Sequence, residues 1–207
     1  MIPRLYAIID AEILATREIP LATFAHELLA AGVELIQYRD KSGSPQAILA
    51  AASSLRDIFA GTTTRLILND RADLAVLANF DGVHVGQDDL SPEDARRVIG
   101  PDRTVGVSTH TDEQVIAAAL TPADYIAIGP IFTTSTKQNP DPVVGLEGIR
   151  RARALTTKPL VAIGGITRNN ARSVIDAGAD SIAIISALFA PGESIAQVAR
   201  DFLDLLR

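Results

Sequence analysis

The sequence predicts one α/β domain over residues 1–207, a (β/α)8 barrel of the TIM type. Three observations predict it. Eight short apolar runs alternate with helix-like segments from end to end, the junctions into several of those runs resemble one another, and polar residues recur where the runs stop. The runs are Leu5–Ile9, Glu34–Tyr38, Arg65–Leu68, Gly82–Val85, Thr104–Val107, Tyr125–Ile128, Leu160–Ile163 and Ser181–Ile185. They are too short and too continuously apolar for one-faced strands, which is the pattern of strands buried on both sides. Strand–helix alternation implies a parallel sheet. Eight units in 207 residues lie near the short end of the roughly 200 to 400 residues of such barrels. An open doubly wound sheet is the alternative, weakened by the lack of a Gly-x-Gly-x-x-Gly turn after the first run.

The segments between the runs, eight helices in this reading, carry start and stop signals. Ser44-Pro45 opens one that stops at Gly61, and Ser91-Pro92 opens another that stops at Gly100. Thr111 and Gln114 have capping-box spacing, and Gly32 and Gly178 sit where helix-terminating glycines belong. Four helix-to-strand junctions repeat: Ala31-Gly-Val-Glu-Leu-Ile36, Phe80-Asp-Gly-Val-His-Val85, Pro122-Ala-Asp-Tyr-Ile-Ala-Ile128 and Ala177-Gly-Ala-Asp-Ser-Ile-Ala-Ile184. One interval breaks the rhythm. Gly129 to Gly145 is rich in Thr and Pro, too long for a plain connector, and reads as a functional lid.

Composition narrows the function. With 19 basic against 25 acidic residues the net charge is −6, and no basic run marks a nucleic-acid surface. The absence of cysteine excludes disulfides, thiolate metal sites and a cysteine nucleophile. No apolar run reaches the ~18 residues of a membrane span, and the amino terminus does not read as a signal peptide. The expectation is a soluble, cytoplasmic protein that acts on small molecules, with a homo-oligomer left open.

In such a barrel chemistry collects where strands end. Those positions hold Gln37, Arg39 and Lys41, then Asn69 and Asp70, then Gln87, Asp88 and Asp89, then Ser108 and His110. Thr134, Thr136 and Lys137 follow on the long loop, Gly164-Gly165 after run seven, and Ser186 after run eight. Bland readings compete. Asp70 and Ser108 suit helix N-caps, Gln37, Arg39 and Lys41 suit a surface charge cluster, and His84 suits a packed core histidine. Lysine usage favours a pocket. Lys41, Lys137 and Lys158 are the only lysines among the 19 basic residues, and a compact ammonium suits a phosphate. Asp70 and Asp89, ending neighbouring strands, suit a hard cation such as Mg²⁺, with Asp88 the rival second ligand. The Gly-Gly turn and Ser186, at a helix start, suit a second anion held by backbone amides.

These residues, in this order, resemble the thiamine phosphate synthase family. The likeness rests on Gln37-Tyr-Arg-Asp-Lys41, Leu68-Asn-Asp-Arg71, Gly82-Val-His-Val-Gly-Gln-Asp-Asp89, Gly106-Val-Ser-Thr-His110 and Ala123-Asp-Tyr125. It continues through Gly129-Pro-Ile-Phe-Thr-Thr-Ser-Thr-Lys137, Ala162-Ile-Gly-Gly-Ile166 and Ile185-Ser-Ala187. The resemblance implies a Mg²⁺-dependent transferase that joins hydroxymethylpyrimidine diphosphate to hydroxyethylthiazole phosphate, releasing diphosphate. It implies that Gln37, Arg39, Lys41, Asn69, Ser108 and Lys137 hold the pyrimidine diphosphate, with Arg39, Lys41, Ser108 and Lys137 catalytic. Asp70 and Asp89 would bind the metal, and Thr134, Thr136, Gly165, Ile185 and Ser186 the thiazole phosphate. It further implies dissociative departure of diphosphate, with the loop from Thr133 to Pro142 closing over the reactants. The alternatives are the related thiazole tautomerase on the same barrel and a non-catalytic barrel that binds a phosphorylated ligand.

Overall fold

The computed structural model describes residues 2–134 and 141–207. Eight parallel strands close in sequence order, β1 pairing with β8 as well as with β2. They are β1 (Leu5–Asp10), β2 (Leu35–Arg39), β3 (Arg65–Asn69), β4 (Gly82–Val85), β5 (Thr104–Thr109), β6 (Tyr125–Ile128), β7 (Leu160–Ile163) and β8 (Ser181–Ile184). Closure excludes the open doubly wound sheet and leaves no strand edge unpaired.

Nine α-helices stand among the described residues: α1 (Ala11–Thr16), α2 (Leu21–Ala31), α3 (Pro45–Ile58), α4 (Ala72–Leu77), α5 (Pro92–Ile99), α6 (Asp112–Ala119), α7 (Gly145–Leu155), α8 (Ala171–Asp176) and α9 (Ile195–Leu205). The ninth arises because the first crossover is split. Pro20 can donate no backbone hydrogen bond, so the chain restarts there as the N-cap of α2. The cap signals act as expected: the side chains of Ser44, Ser91 and Thr111 accept from the backbone N–H of Ala47, Asp94 and Gln114.

Strand alternation divides the core in two. Leu5, Ala7 and Ile9 of β1, with Ile36, Leu66, Val83, Ile126 and Ile182, face the helices. Tyr6, Ile8, Leu35, Ile67, Tyr125, Ala127, Val161 and Ala183 fill the barrel interior. The interior is not apolar throughout, because the buried Gln37 and His84 occupy inward positions of β2 and β4. Their side chains set the floor of the functional site.

The repeated junctions have a physical basis at the amino-terminal end of the barrel. Asp81, Asp124 and Asp180 stand just before β4, β6 and β8. Their carboxylates accept the N–H of Leu66, Val105 and Leu160 at 2.7, 2.7 and 2.8 Å. Each also donates its own N–H to the carbonyl of the same residue. The motif therefore clasps β4, β6 and β8 each to the odd strand before it. Among the described residues no helix is long and apolar enough to cross a membrane.

Candidate active site

A cavity of about 540 Å³ opens at the carboxyl ends of the strands. The inward alternation of β2 carries Gln37, Arg39 and, beyond the strand, Lys41 to its wall. Gln37, only 3% exposed, does not belong to a surface cluster, and Arg39 is half-buried, whereas Lys41 stands exposed at the rim. Asn69, Asp70, Asp89 and Ser108 line the same cavity from β3 to β5, and Thr134, Gly165, Ile185 and Ser186 line it from the far side. Thr136 and Lys137 lie outside the described residues.

The cations are held by carboxylates. Asp10, buried at the end of β1, accepts the Ile13 N–H as N-cap of α1 and takes Arg39 Nη1 at 2.5 Å on its other oxygen. Lys41 Nζ pairs with Asp70 Oδ2. The Asp89 carboxyl reaches hydrogen-bonding range of Asp70 and accepts the Gly86 N–H at 2.8 Å. Burial, first, and the neighbouring Asp89 raise the Asp70 pKa above the ordinary carboxylate range, against the opposing pull of Lys41. Asp88 lines the cavity but is exposed; the carboxyl that meets Asp70 is that of Asp89.

Asp70 is not a helix cap. The residue preceding α4 is Arg71, whose side chain makes no capping bond. Asp70 instead adopts φ +62, a left-handed conformation that costs a non-glycine residue energy. The bond from its N–H to the His84 carbonyl, 2.7 Å, helps to hold it there. Ser108 is not a cap either: it lies inside β5, and its Oγ is 2.8 Å from His84 Nε2. His84 is buried, as the core reading expects, yet it also borders the cavity. Burial lowers its pKa to about 4, so the ring is neutral near pH 7, although Asp89 acts in the opposite sense.

The glycine turn has a use the sequence did not show. Gly165 has φ +65, and a Cβ there would meet the Thr133 carbonyl at 2.6 Å. The turn thus admits the start of the long loop, whose Ile131 and Phe132 N–H groups bond to the carbonyls of Ile163 and Gly164. The loop's ends are tied together by Val144 N–H to the Pro130 carbonyl, 2.9 Å. His110 fastens the same segment, its Nδ1 donating to the Gly129 carbonyl at 2.6 Å, with Nε2 3.5 Å from Asp141. The expected helix start at Ser186 is a three-residue 3₁₀ turn, Ser186–Leu188, and α9 begins only at Ile195.

Four features in and around the cavity are absent from the sequence reading: Asp10 against Arg39, Tyr6, Tyr125 and the polar contacts of His84. The signal was available in part. Tyr6, Ile8 and Asp10 share one face of β1 by period two, the same face argument that places Gln37 and Arg39 on β2.

Two carboxylates without a histidine or thiolate partner offer only hard oxygen donors, which fit a divalent cation that fills its shell with water and phosphate oxygens. Among the described residues no group of three or more His, Cys, Asp or Glu could hold an ion by itself. A cation there would rely on its ligand to complete coordination.

A closed (β/α)8 barrel with cations and paired carboxylates at its carboxyl mouth defines an enzyme acting on phosphorylated small molecules. The family model described as thiamine monophosphate synthase matches residues 5–188, and the chain belongs to that family. It is 57% identical over 208 residues to the thiamine-phosphate synthase of Koribacter versatilis, covering 99% of this chain and 96% of that one. It is 42% identical over 187 residues to the thiamine-phosphate synthase of Shouchella clausii, covering 90% and 88%. The solved thiamine phosphate pyrophosphorylase from Pyrococcus furiosus superposes with a TM-score of 0.86 at 30% identity, covering 98% of this chain and 95% of that one.

Proposed function

We propose that the chain is a transferase coupling hydroxymethylpyrimidine diphosphate to hydroxyethylthiazole phosphate, or its carboxylated form, to give thiamine phosphate and diphosphate. The carrying observation is the grouping of Asp70, Asp89, Arg39 and Lys41 on one wall of the cavity. Two like charges brought together beside two cations suit a diphosphate with a divalent ion. Family membership supports the same reading.

In this reading Arg39, Lys41 and Lys137 face the diphosphate and stabilise the charge that develops as the C–O bond breaks. Asp10 fixes the Arg39 guanidinium, so that charge is in place before reaction. Gln37, Asn69 and Ser108 orient the pyrimidine portion. Thr134, Thr136, Gly165, Ile185 and Ser186 hold the thiazole phosphate on the opposite side. Asp70 and Asp89 would hold Mg²⁺, which when bound supplies further positive charge to the leaving group. No side-chain nucleophile is required, since the thiazole nitrogen forms the new C–N bond. Both substrates are phosphorylated anions that do not cross a bilayer unaided, which supports a cytoplasmic location.

The test is diphosphate release by purified protein given both substrates, with and without Mg²⁺. The expected result is Mg²⁺-dependent release that needs the thiazole phosphate, with an equal amount of thiamine phosphate. No release under these conditions would overturn the reading.

A further inference from the structure

At the cavity floor five side chains from five strands form one hydrogen-bonded chain. Gln37 Nε2 donates to the Tyr6 hydroxyl at 2.8 Å. The Tyr6 hydroxyl lies 2.9 Å from that of Tyr125, and the latter 2.9 Å from His84 Nδ1. His84 Nε2 lies 2.8 Å from Ser108 Oγ. Gln37, Tyr6, Tyr125 and His84 are all buried, and among the described residues no buried side-chain nitrogen or oxygen lacks a partner. The rings are also packed in place: Tyr6 stands edge-on to Tyr125, and His84 stacks on Tyr125 with centroids 5.5 Å apart. A second observation points to the same feature. Any Cβ on Gly106 would collide with the Tyr125 ring and hydroxyl, so β5 gives up a side chain where the middle link crosses the barrel.

We infer that Tyr6, Tyr125 and His84 are positioning residues that fix, together, which hydrogen-bonding atoms Gln37 and Ser108 present to the substrate. The reason is the donor inventory. A phenol has one proton to give, and a neutral imidazole has one N–H. With the Gln37 amide nitrogen donating to Tyr6, the Tyr6 proton goes to Tyr125 and the Tyr125 proton to His84 Nδ1. The imidazole proton then sits on Nε2 and is given to Ser108 Oγ. At the cavity end of this sequence Gln37 is left with Oε1 as an acceptor, and Ser108 with its own proton as a donor. Turning the Gln37 amide over would reverse every link at once, so neither end changes alone.

This inference rests on the proposed function, because it assigns both ends to the pyrimidine. An aminopyrimidine offers the matching pair, an exocyclic amine to donate and ring nitrogens to accept. Sites built to pair a ligand polar group discriminate strongly against the analogue that lacks it. The chain is then a specificity device for the amino group, with its middle link, Tyr125, behind the residues that line the cavity.

Two measurements test it. In the ligand-free protein, long-range proton–nitrogen spectra of the imidazole rings are expected to show His84 as a single neutral tautomer with its proton on Nε2. A proton on Nδ1 overturns the polarity. In steady-state kinetics, the preference for the aminopyrimidine diphosphate over its des-amino analogue is expected to fall about tenfold in Tyr125→Phe, with KM for the thiazole phosphate unchanged. Tyr6→Phe breaks the same chain from another strand and is expected to do likewise, which guards against a folding defect in either variant. Mere loss of packing would slow both pyrimidine substrates equally, so an unchanged preference overturns the positioning role. If wild-type protein turns over neither substrate, the functional reading falls, and the tautomer alone decides whether the chain has this polarity.

Discussion

At the amino-terminal end of the barrel Asp81, Asp124 and Asp180 each accept a backbone N–H from the preceding strand, and two of them also meet an arginine, Arg96 with Asp124 and Arg153 with Asp180. At the carboxyl end Asp70 and Asp89 are brought against one another, and Asp70 carries a left-handed backbone as well. The residue type is the same and the use is opposite. Below, every carboxylate satisfies a donor and adds stability. Above, burial and the neighbouring Asp89 raise the Asp70 pKa, a cost of the kind that functional sites carry. The comparison teaches that the barrel keeps its stability at one end and its chemistry at the other.

The largest expected effect comes from Asp70→Asn, chosen because asparagine tolerates the left-handed backbone. Turnover falls at least about a thousandfold, while Tm of the metal-free protein rises by about 2 °C. The sign follows from linkage. The folded Asp70 pKa is raised, so the folded state holds more proton in that window and stability falls as pH rises through it. The neutral amide removes that loss. Calorimetry beside the diphosphate-release assay checks both halves, and a variant that loses stability as well as activity would break the contrast between the two ends.

His84 gives the next effect, of the opposite sign. Its pKa falls from 6.5 to about 4 on folding. The unfolded chain therefore binds the extra proton first, and stability present above pH 6.5 is lost as pH drops toward 4. The loss amounts to about 3 kcal/mol. Urea unfolding across that range is expected to show it in wild type and not in His84→Gln.

Smaller still is the effect of Asp180→Ala at the opposite end. It removes the Asp180 acceptor from the Leu160 N–H and from Arg153 Nη1, while Arg153 Nη2 keeps the Thr156 and Lys158 carbonyls, costing about 2 kcal/mol. Both kcat and KM stay at wild-type values in steady-state assays. A shift in KM would mean that the two ends are mechanically coupled, which would sharpen the comparison into a question of transmission through the strands.

The architecture and much of the site were legible from alternation alone. Period two on β2 placed Gln37, Arg39 and Lys41 on one side, and the structure puts all three on the cavity wall. The choice of Asp89 over Asp88 was not legible, because adjacent residues in a turn differ only in where the backbone aims them. Nor were Asp70 and Ser108 distinguishable from helix caps, since capping residues and active-site residues share the same small polar types after a strand. The glycine turn after β7, which the sequence offers as an approach for ligand, lines the cavity, and its packing against the loop after β6 was not legible.

The sequence by itself determined the eight-fold alternation, the cap positions, the clustering of polar residues at strand ends and the family, because each is written in residues near one another along the chain. Only the tertiary structure decided which of those polar groups meet. Tyr6, Gln37, His84, Ser108 and Tyr125 are separated by 17 to 119 positions, and Asp10 finds Arg39 across 29. Closing the barrel sets such partners within hydrogen-bonding distance through strand register, and register is a property of the whole sheet rather than of any segment of it.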